Sequence, residues 1–134
     1  MKSVVVALLI LAVIIGGSII FTNELDDVSQ NLATKNDKLY DLICKEDFEQ
    51  ASDLLSELDD DISKKKLLLA SVIDHTEIDK MVLNIAQAKA YVGERKKEDS
   101  LSFVNALSSM FSHIPKNYHV KIENILWQFS DLSC

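Results

Sequence analysis

Eighteen consecutive residues, Val4 to Phe21 (VVVALLILAVIIGGSIIF), carry no charge and no proline. As a helix rising ~1.5 Å per residue they reach about 27 Å, close to the ~30 Å hydrocarbon core of a bilayer. A helix is the form such a stretch takes in lipid, because it pairs its own backbone groups where no water can. Val4, Leu8, Ile10, Ile14, Ile19 and Phe21 are the candidate membrane-anchor residues. The competing reading is a cleaved signal peptide, for which Gly16 and Ser18 offer small residues at a suitable spacing. Against cleavage, Ile19, Ile20 and Phe21 carry the apolar run past that point, beyond a signal core of about 7–15 residues. No cysteine stands near enough for lipid attachment. The expectation is a signal-anchor over residues 1–21 and a body over residues 22–134. Cleavage would instead release a secreted helical protein.

Lysine and arginine set the orientation of such a span. Lys2 and the α-amine sit against one end, whereas Glu24, Asp26 and Asp27 follow the other and no lysine returns until Lys35 and Lys38. This bias predicts a single-pass protein of the cell membrane, with its N-terminus cytoplasmic and its body extracytoplasmic.

The body carries all 21 acidic residues of a chain with 14 Lys and Arg and a net charge of −7. Nucleic acid needs a basic face, so it is excluded as a partner. The same charge argues against a body lying flat on anionic lipid. Cys44 and Cys134 are the only cysteines. An even count outside the membrane permits a disulfide, but two isolated positions favour two free thiols.

One proline and three glycines leave helices little interrupted, and no alternating β-branched run suggests a sheet. The fold class expected is all-α: the transmembrane helix continuing into an antiparallel bundle of two hairpins plus a C-terminal helix. Leu25, Val28, Leu32, Leu39 and Leu42 form a coiled-coil-like seam with Lys35 in its polar slot. Asp47 caps a second helix, with Phe48, Ala51, Leu55, Leu58, Ile62, Leu69, Val72 and Ile73 as its stripe. Asp60–Lys64 and Asp61–Lys65 stand at i, i+4, so the run from Asp59 to Lys66 reads as a solvated face. Thr76 with Asp79 reads as a capping box for a third helix that buries Ile78, Met81, Val82, Ile85, Ala88 and Val92 and stops at Gly93. After a charged loop, 94–99, a fourth helix buries Leu101, Val104, Leu107, Phe111 and Ile114 and stops at Pro115. A fifth, 118–130, offers Ile122, Ile125, Leu126 and Phe129, with Trp127 alongside.

Lys45-Glu46-Asp47 recurs as Lys97-Glu98-Asp99, an echo at an offset of 52 residues that supports two hairpins. Short loops make consecutive helices antiparallel. The segment Asp74 to Glu77 and the turn His113-Ile114-Pro115 should then share the membrane end of the bundle, with the turns at 45–47 and 94–99 at the far end.

No Gly-rich phosphate loop, H-E-x-x-H or G-x-S-x-G occurs. His75, Asp74 and Glu77, with His113, form the one candidate metal set, should their two loops meet. The plainer reading places both histidines at helix ends with local hydrogen bonds. His119 reads as a surface residue, and Trp127 and Phe129 as packing residues. The expectation is a non-enzyme without a cofactor.

Gly16-Gly17-Ser18-Ile19, Thr22-Asn23, Asp47-Phe48 with Ala51, Ile73-Asp74-His75 with Glu77, His113-Ile114-Pro115 and Asn124-Ile125-Leu126 together give the chain a recognisable pattern. It resembles a domain-of-unknown-function family, number 4363, of short N-terminally anchored helical proteins from spore-forming Gram-positive bacteria. The resemblance spans nearly the whole chain and implies architecture and location, with no activity attached. Proteins it resembles often accompany a multi-pass membrane protein of unknown function, and the resemblance, carried over, implies a membrane partner. Members more often carry Trp where this chain has Phe48, which leaves a packing role intact.

Residues and resemblance lead to one expected function: a non-catalytic interaction or accessory module for a membrane or cell-envelope partner. The alternative is an extracytoplasmic bundle that senses a ligand or metal. A homo-oligomer through the first seam stays open, because such a seam pairs within or between chains.

Overall fold

The computed structural model describes the backbone of residues 1–130 and the side chains of residues 1–114. Its first helix, α1, is Lys2–Cys44, 43 residues without a break, so the apolar run and the first bundle helix are one rod about 65 Å long. Beyond Phe21 the rod buries Leu25, Ser29, Leu32, Asn36, Leu39 and Ile43. Those positions alternate steps of four and three, the period that keeps one seam against neighbouring helices. The seam therefore differs from the expected one. Val28 and Leu42 flank it half-buried, Lys35 lies beside it, and Ser29 and Asn36 occupy its polar positions. Choosing the most apolar residue in each turn had favoured the flank over the true stripe.

Helix α1 ends where Glu46 takes a left-handed φ of 61°. The Asp47 N–H bonds to the Leu42 carbonyl and the Glu46 N–H to that of Ile43, which satisfies carbonyls the helix end would orphan. Helix α2, Phe48–Lys64, is capped by Asp47, whose carboxylate accepts from the Gln50 N–H at 3.2 Å. Ala51, Leu54, Leu55, Leu58 and Ile62 form its buried stripe. The expected single helix through Ile73 is interrupted at Lys65, where φ is −100° and ψ 10°. A short α3, Lys66–Ala70, follows. The Lys65 carbonyl still accepts from Leu69 N–H, so the chain bends there rather than stopping.

Asp74, not Thr76, caps α4, His75–Gly93. Thr76 donates its N–H and its hydroxyl to Asp74 Oδ1 at 2.8 and 2.7 Å, so the expected capping box is replaced by a cap two residues earlier. Ile78, Met81, Ile85, Ala88 and Val92 face inward, while Val82, one step off that stripe, is exposed. The left-handed residue ending α4 is Arg95 (φ 57°), two positions after Gly93. Helix α5 begins at Lys97, earlier than expected, because Glu98 and Asp99 suit the positive end of a helix.

Helix α5, Lys97–Ser130, continues through Pro115. The expected stop there, and the separate fifth helix, are thus one continuous element. Proline biases a helix toward ending without forbidding its continuation; it removes one N–H, at an interior cost of about 3 kcal/mol. The stripe expected at Ile122, Ile125, Leu126 and Phe129, and the expectations for His119, Trp127 and Cys134, lie outside the described residues.

Helices α1, α2, α4 and α5 pack in a ring in which each touches its two neighbours, α5 closing against α1. The repeat underlying this ring has an offset of 49 residues, the distance from Phe48 to Lys97 at the starts of α2 and α5. It superposes Leu32 on Met81, Asn36 on Ile85, Ile43 on Val92, Leu55 on Val104 and Ile62 on Phe111, all buried. The Lys-Glu-Asp echo at 52 is out of this register: its first copy is a turn and its second lies inside α5.

Candidate functional site

Three regions carry the features that chemistry or binding would need. The first is the apolar half of α1, long and apolar enough to cross a membrane and unburied by the rest of the protein. Val4, Leu8, Ile10, Ile14 and Ile19 are 56–63% exposed. Phe21 instead packs half-buried on the core, which makes it the joint between the apolar rod and the bundle.

The second region is a groove of about 390 Å³ between α1 and the end of α2, lined by Glu24, Asp27, Val28, Asn31, Leu32, Lys35, Asp61, Lys64 and Lys65. Ion pairs across the helices lace it. Lys35 Nζ lies 2.6 Å from Asp61 and 3.3 Å from Glu57, and Lys65 Nζ lies 2.7 Å from Glu24. The hydrogen bond to Asp61, with Glu57 adding, holds the Lys35 ammonium above its ordinary pKa of 10.5. The expected i, i+4 pairs within α2 do not form; Asp61 and Lys65 reach α1, and Asp59 pairs with Lys89 on α4 at 2.8 Å. Sequence reasoning missed these bonds because it weighed charges within one helix. A signal did exist: Lys35 and Asp61 each directly precede a buried stripe residue, Asn36 and Ile62, the flanking position from which cross-helix pairs form.

The third region is the end of the bundle where α2 hands over to α4. Ile73, Glu77, Met81, Met110, His113 and Ile114 line a cavity of about 340 Å³, so the segment from Ile73 to Glu77 and His113 do share one end, although His113 lies within α5 and not in the expected turn. Of the candidate metal set, Glu77 and His113 border this cavity, whereas Asp74 and His75 are exposed at the start of α4 and do not line it. Asp74 is engaged as a cap and Glu77 pairs with Lys80 at 2.8 Å. Among the described residues, no three His, Cys, Asp or Glu side chains converge. The opposite end is tied together by Lys97, which donates to the Cys44 carbonyl at 2.9 Å and lies 3.6 Å from Glu46. Cys44 carries a free thiol there, half-buried. Tyr91 of α4 stacks on Phe103 of α5, ring centroids 5.4 Å apart, with Lys96 Nζ 5.6 Å from the centre of the Tyr91 ring.

An unburied apolar helix running into a four-helix ring defines the class of the protein: an all-α bundle on a long apolar N-terminal helix. The chain belongs to the family described as "Domain of unknown function (DUF4363)", whose model matches residues 19–125. No curated protein and no solved structure matches it.

Proposed function

We propose that the protein is a single-pass, membrane-anchored accessory module that binds a membrane or cell-envelope partner through its extracytoplasmic bundle and performs no catalysis. The observation that carries this reading is α1 itself. Its apolar half is left uncovered by the bundle, while the same unbroken helix supplies the bundle's core seam. The acidic exterior and ion-paired helix faces suit recognition of a protein surface better than turnover of a substrate. Crosslinking in intact membranes, followed by mass spectrometry, tests the reading. A reproducible membrane or envelope protein crosslinked to α2 or α4 is expected; crosslinks confined to lipid and to other copies of the chain would overturn it. A membrane-impermeant thiol reagent added to intact protoplasts tests the orientation. It should label a cysteine placed at exposed Lys38 and leave one placed at Lys2 unlabelled.

The groove between α1 and α2 supports a second reading, an extracytoplasmic sensor for a small polar ligand, because it brings cations and carboxylates together beside apolar Val28 and Leu32. A thermal-shift screen separates the two. A small molecule or metal that raises the melting point, and loses that effect when Lys35 is changed to Met, favours the sensor.

A further inference from the structure

Leu67, on the five-residue helix α3, is 90% exposed, the most exposed large apolar side chain among the described residues outside the N-terminal apolar rod. Its neighbours Lys64 and Lys66 are exposed and have no ion-pair partner among the described residues. The position of this cluster is fixed by Lys65. Its ammonium bonds Glu24 at 2.7 Å, and Glu24 stands three residues past Phe21, about 4.5 Å along the helix axis. Helix α2 returns antiparallel along α1 from the turn at 45–47, so its end at Lys65, from which α3 starts, lies toward the apolar half. Helix α3 thus stands beside the point where apolar helix gives way to polar, at the depth a phospholipid headgroup layer occupies.

We infer that α3 is a second membrane contact, in which Leu67 dips into the acyl boundary and Lys64 and Lys66 hold lipid phosphates. This rests on the anchor reading above and adds a site to it. An isolated exposed leucine on a soluble surface needs no explanation. Here the leucine lies between free cations and the exit of a span, the arrangement by which short interfacial segments seat themselves on lipid. The acidic body does not oppose it. Contact is made by one end of the bundle, where Glu24 of α1 and Asp61 of α2 are matched by Lys65 and Lys35, so that, among the described residues, Asp27 is the one carboxylate of the shared groove without an ion pair. The bend at Lys65 serves this placement, since it separates α3 from the straight course of α2.

The test uses the full chain with Cys44 and Cys134 changed to Ser, reconstituted into vesicles of phosphatidylcholine and phosphatidylglycerol. Single cysteines introduced by Leu67→Cys, Ile10→Cys and Arg95→Cys carry a fluorophore, and quenching by spin-labelled lipid reports depth. The Leu67 site should be quenched roughly twofold or more above the Arg95 site at the far end, approaching the Ile10 site in the span. Quenching at the Leu67 site no greater than at the Arg95 site, with the Ile10 site strongly quenched, overturns the inference and leaves the anchor standing. Absence of quenching at the Ile10 site overturns both. Lys64→Glu combined with Lys66→Glu should reduce quenching at the Leu67 site, and unchanged quenching would remove the lysines from the contact. Circular dichroism of each variant should match the cysteine-free parent, because all five side chains changed in it, Ile10, Lys64, Lys66, Leu67 and Arg95, are exposed.

Discussion

Asn36 of α1 donates through Nδ2 to the main-chain carbonyl of Val104 on α5, 3.0 Å away across the bundle core. Its Oδ1 is buried with no hydrogen-bond partner. Val104 lies within a helix, where its carbonyl has a ladder partner, so removing the amide strands no group on α5. A single polar residue in a helical seam selects one register at a cost in stability. The position corresponds to Ile85 in the 49-residue repeat, where the seam is apolar. Asn36→Leu should therefore raise the unfolding free energy by about 1–2 kcal/mol, since the lost bond is worth less than the relieved desolvation. Thermal unfolding in detergent checks this. A lower melting temperature would mean that the amide bond outweighs the orphaned oxygen.

The left-handed residue closing α4 is Arg95, at φ 57°. A residue with a Cβ pays about 1–2 kcal/mol in that conformation, which glycine escapes in part. Arg95→Gly should raise stability by about 0.5–1 kcal/mol, or some 5 °C in melting temperature. Chemical denaturation with an unchanged slope and a shifted midpoint is the expected record.

Phe111 is among the largest fully buried side chains and lies on α5 where the repeat places Ile62 on α2. Phe111→Ala should cost about 3–5 kcal/mol, the transfer term plus the cavity left behind. Ser112→Ala, on the exposed face next to it, should move the midpoint by less than about 0.5 kcal/mol. Equal effects for the two would contradict the packing described.

The backbone N–H and hydroxyl of Thr76 hold the Asp74 carboxyl below its ordinary 3.8. A carboxylate whose pKa is depressed by folding contributes fully above its unfolded pKa and loses that contribution as pH falls through the lower folded value. Asp74→Ala should lower the melting temperature at neutral pH, and the gap to the unmodified protein should close as the pH falls below 3.8 and through the lower folded value. Melting curves followed by circular dichroism across that range provide the measurement. A gap that persists undiminished in acid would show that the charge of the cap is not what stabilises α4.

What was legible in the sequence is what depends on local chemistry. The apolar run, the absence of strands among the described residues, the Asp47 cap and the placing of Glu77 and His113 at one end all follow from residue type and spacing. The seam of α1 was harder, because Ser29 and Asn36 are polar and only the alternation of steps of four and three assigns them inward. Lys35 and Lys65 were harder still. Their partners stand 26 and 41 residues away, and no pattern within one helix reveals which charges a neighbouring helix will present. Pro115 misled for a different reason: a steric bias was read as a stop, and the helix runs through it. Asp74, read from the sequence only as an alternative metal ligand, is used by the fold as the cap of α4.

The unbroken course of α1 has one more consequence. With no hinge between Ile19 and Leu25, the azimuth of the bundle about the rod axis is set by the winding of the helix, ~100° for each residue. Inserting a single alanine after Thr22 would swing the whole bundle about a quarter turn and lift it by ~1.5 Å; four alanines would nearly restore its bearing. A twist imposed on the apolar end would likewise reach the Cys44 end as on a crankshaft, which gives this protein a direction as well as a position.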